Sequence, residues 1–398
     1  NEKHVVSGKQ LAAALQGGPA GTGPSIVTLA TCDSGHVGDV VHTGASVADD
    51  LHREQIPFVV GSQFPLTFDG SKALVDYLYP ALLNGEDPRV ALRELRSVLY
   101  SHLAGTSHDW ASVVAYAAFP PDLEEQLRHV TYHRARDANK AAMGRLDDHV
   151  RRGVPGSGAK ALAEFQKGLD ALREAVDASA EKIPRDSMYA TEGLGLRASA
   201  HKRKAEATFQ ASRAVADDDL NGGLLDVVVD DLLESRKRYA RAAADALRLR
   251  PDEPTQVVSV HWVLTQQLVL DLVLDGVVDD DRWTASRLAA RMDLRHGAQN
   301  EQIWADGTLI ELELLKLIAG EASYGPRVLA GVERLIERCP PGHYAIEATR
   351  RQLQRYVSWW WDAQFRARLD AVRPSDDRGT ELTREARETI DAAIGMLT

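Results

Sequence analysis

Two cysteines occur among the 398 residues, Cys32 and Cys339, and a thiol becomes a strong nucleophile once a neighbouring base or positive field withdraws its proton. Cys32 stands in Ile26-Val-Thr-Leu-Ala-Thr-Cys32-Asp-Ser-Gly35, an apolar run that delivers it into a small, polar, Gly-containing turn. In an open parallel sheet, reactive groups collect outside the carboxyl ends of strands, where loop N–H groups can surround a developing oxyanion. By residue type alone Cys32 reads first as a buried structural thiol. Its place at a strand end is what argues for a nucleophile. Cys339 precedes Pro340-Pro341 at a helix end, and no chemistry is expected of it.

Other chemistries find little support. No His, Cys, Asp and Glu set has metal-ligand spacing and the His-Glu-x-x-His helix is absent, so neither a metal nor a cofactor is expected. The run Gly17-Gly-Pro-Ala-Gly-Thr-Gly-Pro24 precedes a strand and lacks a Lys-Ser/Thr ending, which is not how a phosphate-binding loop is built. His36, His42 and His52 follow Cys32 at loop and surface positions. Asp217 to Asp219 and Asp279 to Asp281 stand before helices, where negative charge suits the helix dipole. Trp359-Trp-Trp361, with Tyr356 and Phe365, reads as a packing layer or as a partner-binding hot spot.

The elements around Cys32 alternate. Leu11–Leu15 is helical in character, Ser25–Thr31 and Ile56–Gly61 read as buried strands, and Ala45–Glu54, Ser71–Leu83 and Asp87–Leu103 read as amphipathic helices. This pattern predicts an α/β domain with a mostly parallel sheet flanked by helices. From Pro121 onward strand signals vanish, and helices are predicted over Ala198–Ala216, Leu224–Leu249, Gln256–Leu274, Arg282–Arg295, Trp304–Gly320, Gly325–Cys339 and Ala345–Val372. Arg238–Pro251 is similar to the second helix of a tetratricopeptide repeat with its closing proline, and the neighbouring helices suggest a helix-pair solenoid. We divide the chain into an α/β part at 1–120, a helical extension at 121–205 and a TPR-like, partner-binding region at 206–398.

Hydrophobic residues make up 44% and charged residues 26%, with a formal net charge of -11. That is a globular balance, and its sign disfavours a phosphate-backbone binder, so nucleic acid is not the expected partner. The best apolar run, Leu268–Val278, is interrupted by Asp271 and Asp275 and is too short for a membrane span. Two unpaired cysteines fit a reducing, cytoplasmic setting.

The first part of the chain resembles the CHAT family of caspase-like cysteine peptidases, relatives of separases, over about His4 to Phe119. Four segments carry the resemblance in the family's order. They are Thr28-Leu-Ala-Thr-Cys-Asp-Ser-Gly35, Ile56-Pro-Phe-Val-Val-Gly-Ser-Gln-Phe-Pro65, the helix from Phe68 to Gly85, and Ala91-Leu-Arg-Glu-Leu-Arg96 with Trp110-Ala-Ser-Val113. Phe64 stands where the family usually has Trp. The resemblance implies that Cys32 attacks a peptide carbonyl after activation by a histidine, with the Cys32 N–H in the oxyanion hole. It implies a substrate strand along Ser62, Gln63 and Phe64. Asp69 becomes a carboxylate favouring Arg or Lys before the scissile bond, or else the N-cap of the helix at Gly70. Asp33 contacts substrate or caps the turn.

The family's catalytic histidine lies in a His-Gly pair on the preceding strand, and no such pair occurs between Asn1 and Cys32; His4 is the single histidine there. The expectation is that the base comes from sequence outside this chain, truncated, cleaved off or carried on a second polypeptide. The leading functional reading is a cysteine endopeptidase controlled by a protein partner on its helical region, in the bacterial-defence or cell-death setting that the family implies. The alternative is a catalytically inactive scaffold that acts through protein–protein contacts.

Overall fold

The computed structural model describes residues 7–16, 24–29, 34, 46–103, 107–154, 158–185, 189–215, 218–247, 260–340, 342–375, 379 and 381–398. The chain forms two compact units, 1–133 and 134–398.

In the first unit, helix α1 (Gly8–Leu15) opens with a capping box in which Ser7 and Gln10 satisfy each other's backbone N–H groups. Strand β1 (Ile26–Thr28) follows, then α2 (Val47–Arg53), capped by Ser46. Strand β2 (Phe58–Ser62) is buried along its whole length. Next come α3 (Phe68–Ala73), a π-helical turn at Leu74–Leu78, α4 (Tyr79–Leu83), α5 (Pro88–Leu103), the single turn α6 (Asp109–Ser112) and strand β3 (Val113–Ala117). The described sheet has the order β1-β2-β3. β1 runs parallel to β2, whereas β3 runs antiparallel to it.

A mostly parallel sheet was expected, and the sheet is mixed. Strand β3, unannounced in the sequence pattern, accounts for the difference. The α6 turn brings the chain back beside the carboxyl end of β2, where Gln63 N–H donates to the Ser112 carbonyl at 2.9 Å. β3 can then only run the opposite way. Alternation on β2 supplies both faces: Val59 packs with Ala12, Ala48 and Leu51 beneath α1 and α2, while Phe58 and Val60 pack with Leu74, Leu78, Leu95 and Leu99 beneath α3 to α5.

α7 (Leu123–Arg152) crosses from the first unit's range into the second's. The second unit continues with α8 (Ala159–Glu181), α9 (Ala190–Ser212), α10 (Asp218–Leu247), α11 (Val260–Asp275), α12 (Asp280–His296), α13 (Gln299–Ile318), a 3₁₀ turn at Ala322–Tyr324 and α14 (Gly325–Arg338). It closes with α15 (Tyr344–Arg355), a π-helical turn at Tyr356–Trp360, α16 (Ala363–Val372) and α17 (Arg384–Met396). From α8 to α14 each helix packs on the next in sequence. One helix was expected over Ala345–Val372, but it breaks at Trp361, and Asp362 caps α16 by accepting from Gln364 and Phe365 N–H groups. Trp359, Trp360 and Trp361 are all buried, together with Tyr356 and Phe365. The aromatic run is a packing layer.

α10 spans 30 residues, while α11 to α15 range from 12 to 20, so these helices are of unequal length. Tyr239, Ala242, Ala243 and Ala246 in the TPR-like segment are buried, and small residues there admit a close neighbour.

The core of this unit is also ionic. α9 buries His201, Lys202 and Arg203. Lys202 donates to Gln266, Gln266 donates to Glu311 at 2.8 Å, and Glu311 also accepts from Gln352. Arg355 grips Glu206 through Nε at 3.1 Å and Nη2 at 2.6 Å, and donates to Gln352. Among the described residues no helix is long and apolar enough to cross a membrane.

Candidate functional site at the carboxyl end of the parallel strands

The two described residues that flank Cys32 are Leu29 and Ser34, and both are tied to the same end of β2. Leu29 N–H donates to the Val60 carbonyl at 2.8 Å, extending the parallel ladder by one residue. Ser34 is buried, and its Oγ donates to the Leu29 carbonyl at 3.3 Å and accepts from Ser62 N–H at 3.0 Å. The Ser34 carbonyl accepts from Ala48 N–H in the first turn of α2 at 3.0 Å. One serine thus joins the end of β1, the end of β2 and the start of α2. Cys32 and Asp33 lie outside the described residues, as do His4, His36 and His42. His52 is described: its Nδ1 pairs with the Ile56 carbonyl at 3.0 Å, which holds the turn between α2 and β2.

Beyond β2, Ser62 is buried while Gln63 and Phe64 are exposed. Ser62, Ser112 and the Phe64 carbonyl form a triangle, with Ser62 Oγ and Ser112 Oγ 2.6 Å apart and Ser112 Oγ 2.7 Å from the Phe64 oxygen. The Phe64 carbonyl accepts from both hydroxyls, which also lie within hydrogen-bond distance of each other. Phe64 N–H donates into Ser112 Oγ at 3.0 Å. The N–H groups of Ser62, Gln63 and Phe64 are therefore all engaged inside the protein. A substrate strand that sought them, as the resemblance implied, would first have to displace Ser34 or Ser112.

Asp69 is not a helix cap. The N-cap of α3 is Thr67, whose Oγ1 accepts from Gly70 N–H at 2.9 Å. Thr67 is itself held by buried Asp109, which accepts from its N–H at 3.0 Å and from its hydroxyl. Gly70 is required by this arrangement, because a Cβ there would collide with the Asp109 carboxylate. The cap falls at Thr67 because its short hydroxyl reaches back while its main chain is still extended (φ -66°, ψ 163°). Asp69 sits one residue into the helix, exposed, in the first turn where negative charge suits the dipole. It borders a shallow depression shared with Lys72, Asp76 and Tyr77. There Lys72 donates to Asp76 at 2.6 Å, and that bond holds the lysine above its ordinary range.

Sequence reasoning missed Ser34, Thr67, Asp109 and Ser112, the residues that organise this end of the sheet. Each is a small polar residue whose partner lies between 28 and 50 positions away, so no local pattern could mark it. Among the described residues no three His, Cys, Asp or Glu side chains converge as a metal site.

Residues 1–118 match the family model of the CHAT domain. No curated protein and no solved structure matched the chain.

Proposed function

We propose that the chain is a cysteine endopeptidase of the caspase-like kind in which Cys32 is the nucleophile. The observation that carries this reading is the tethering of Leu29 and Ser34, on either side of Cys32, to the carboxyl end of β2 in a parallel pair. That is where an α/β sheet collects reactive groups and main-chain donors. The match of residues 1–118 to the CHAT domain, a family of caspase-like proteases, supports a protease-like reading. In this mechanism a histidine base takes the Cys32 proton, the thiolate adds to a peptide carbonyl, and the N–H of Cys32 helps hold the oxyanion. The amine leaves with a proton returned by the histidine, and water then releases the acyl group. Substrate would meet the exposed Gln63 and Phe64 side chains and Asp33. Asp69 would favour Arg or Lys at the cleaved position through a charge-assisted pair. The helical unit would hold a protein partner that controls cleavage.

The test is cleavage of a peptide library by the purified chain, alone and with a polypeptide that supplies the histidine. Cys32→Ala is expected to remove cleavage by about a thousandfold or more, and Cys339→Ala to leave it unchanged. Asp69→Asn is expected to depress cleavage after Arg and Lys about tenfold more than after neutral residues. Cleavage that survives Cys32→Ala would overturn the reading. A wild-type chain that binds partners yet cleaves nothing in either condition would favour the non-catalytic scaffold.

A further inference from the structure

Strand β3 is an edge of the described sheet. Ala118 N–H donates to the Pro57 carbonyl at 2.8 Å and Gln63 N–H to the Ser112 carbonyl. By the alternation of an antiparallel ladder, Val114 and Tyr116 then turn their main-chain groups toward β2, while Val113, Ala115 and Ala117 turn theirs away. The Val113 carbonyl is taken by Arg96 Nη2 at 2.7 Å. Among the described residues, the outward main-chain groups of Ala115 and Ala117 have no such partner. An edge of this kind is a template for another strand.

Beside that edge lies a cleft of about 700 Å³ between β3 and α5. Phe58, Leu92, Ala115 and Ala117 line it together with the exposed Trp110. Arg89, Arg93 and Arg96 line it and no carboxylate does among the described residues, in a chain whose formal net charge is -11. Arg89 is held by Asp87 through Nε at 3.0 Å with Glu124 3.7 Å away, and Arg96 is taken by the Val113 carbonyl. Arg93 is the most available of the three, with a side chain 73% exposed and Glu94 no nearer than 3.9 Å.

We propose that this cleft binds an extended, acidic peptide segment of a partner protein. The segment adds to β3 through the main chain of Ala115 and Ala117, pairs a carboxylate with Arg93, and lays an apolar side chain against Phe58 and Trp110. A second copy of this chain fits less well, because pairing β3 with β3 would bring two arginine clusters together. β1, the strand that leads toward Cys32, lies on the far side of β2, so the proposal stands apart from the catalytic reading.

The test is fluorescence anisotropy of the full chain with a labelled nine-residue peptide, Glu-Thr-Phe-Thr-Glu-Thr-Phe-Thr-Glu. The control is the same peptide with Lys for Glu. Binding of the acidic peptide is expected to be at least about tenfold tighter than that of its lysine counterpart, and to weaken as salt rises from about 50 mM to about 500 mM. Arg93→Glu should cost about tenfold in affinity. Ala117→Pro should cost as much, since it removes an N–H that points away from β2 and an edge strand tolerates such a proline; circular dichroism of each variant confirms its fold. Equal affinity for the two peptides, no binding of either, or unchanged binding by Arg93→Glu would overturn the proposal. So would a dimer in sedimentation that Ala117→Pro dissolves, because the edge would then belong to a second copy.

Discussion

At the scale of single residues, the carboxyl end of the sheet depends on hydroxyls that each join several segments. Ser112→Ala removes the group that Ser62 Oγ and Phe64 N–H both use. Leaving buried polar atoms without partners costs about 1–3 kcal/mol, so the variant should unfold at a lower denaturant concentration. Thr67→Ala should cost about 1 kcal/mol as a lost cap, whereas Asp69→Asn should lower the unfolding midpoint by less, because Asp69 caps nothing and gives up only its favourable charge at the helix N-terminus, worth about 0.3 kcal/mol where exposed. The two cysteines should also differ. Burial and the nearby Asp306 carboxylate push the Cys339 thiol up, so iodoacetamide at about pH 8 should label Cys339 more slowly than it labels a free cysteine peptide, as followed by intact mass.

At the scale of elements, apolar periodicity made α2, α5 and α11 to α14 legible to within about five residues, since burial of one face is written locally, whereas α9 and α10 begin well before their expected starts at Ala198 and Leu224. β2 was equally plain, because five consecutive buried residues cannot alternate with polar ones. β3 was hidden for the opposite reason: Val113-Val-Ala-Tyr-Ala117 is half buried, short and rich in alanine, and its strand character comes from pairing with β2. The break at Trp361 was hidden because every residue from Trp359 to Trp361 is buried, so hydrophobicity runs on through the bend. Asp362 was the available signal, a capping residue inside an apolar stretch. Asp362→Ala should lower stability by about 1 kcal/mol in a urea melt, with Asp362→Ser restoring most of it. The residues near Cys32 were legible as a motif, while the hydroxyl framework around them depends on partners brought together only by folding.

At the scale of the whole molecule, the second unit rests on groups that burial drives toward their neutral forms. Burial pulls Lys202 down to about 8 and pushes Glu311 up. For Glu311 the folded state holds its proton more tightly than the unfolded chain does, so stability rises as pH falls through the raised value toward 4.5 and is flat below it. For Lys202 the sign is the reverse, and stability rises with pH between about 8 and 10.5. Urea midpoints measured across pH should show both limbs, with Glu311→Gln flattening the acid one. Lys202→Met should cost about 3 kcal/mol or more by leaving Glu311 unanswered, and adding Glu311→Gln should recover much of that loss. This arrangement constrains how the protein can evolve. Lys202, Gln266, Glu311 and Gln352 are tied in one line, and Glu206 and Arg355 clasp across 149 positions of sequence. A lineage that alters one member is left with a buried group lacking its counterpart until another member changes. Homologues should therefore exchange these positions in compensating sets, passing through few viable single substitutions, while neighbouring surface positions drift one at a time.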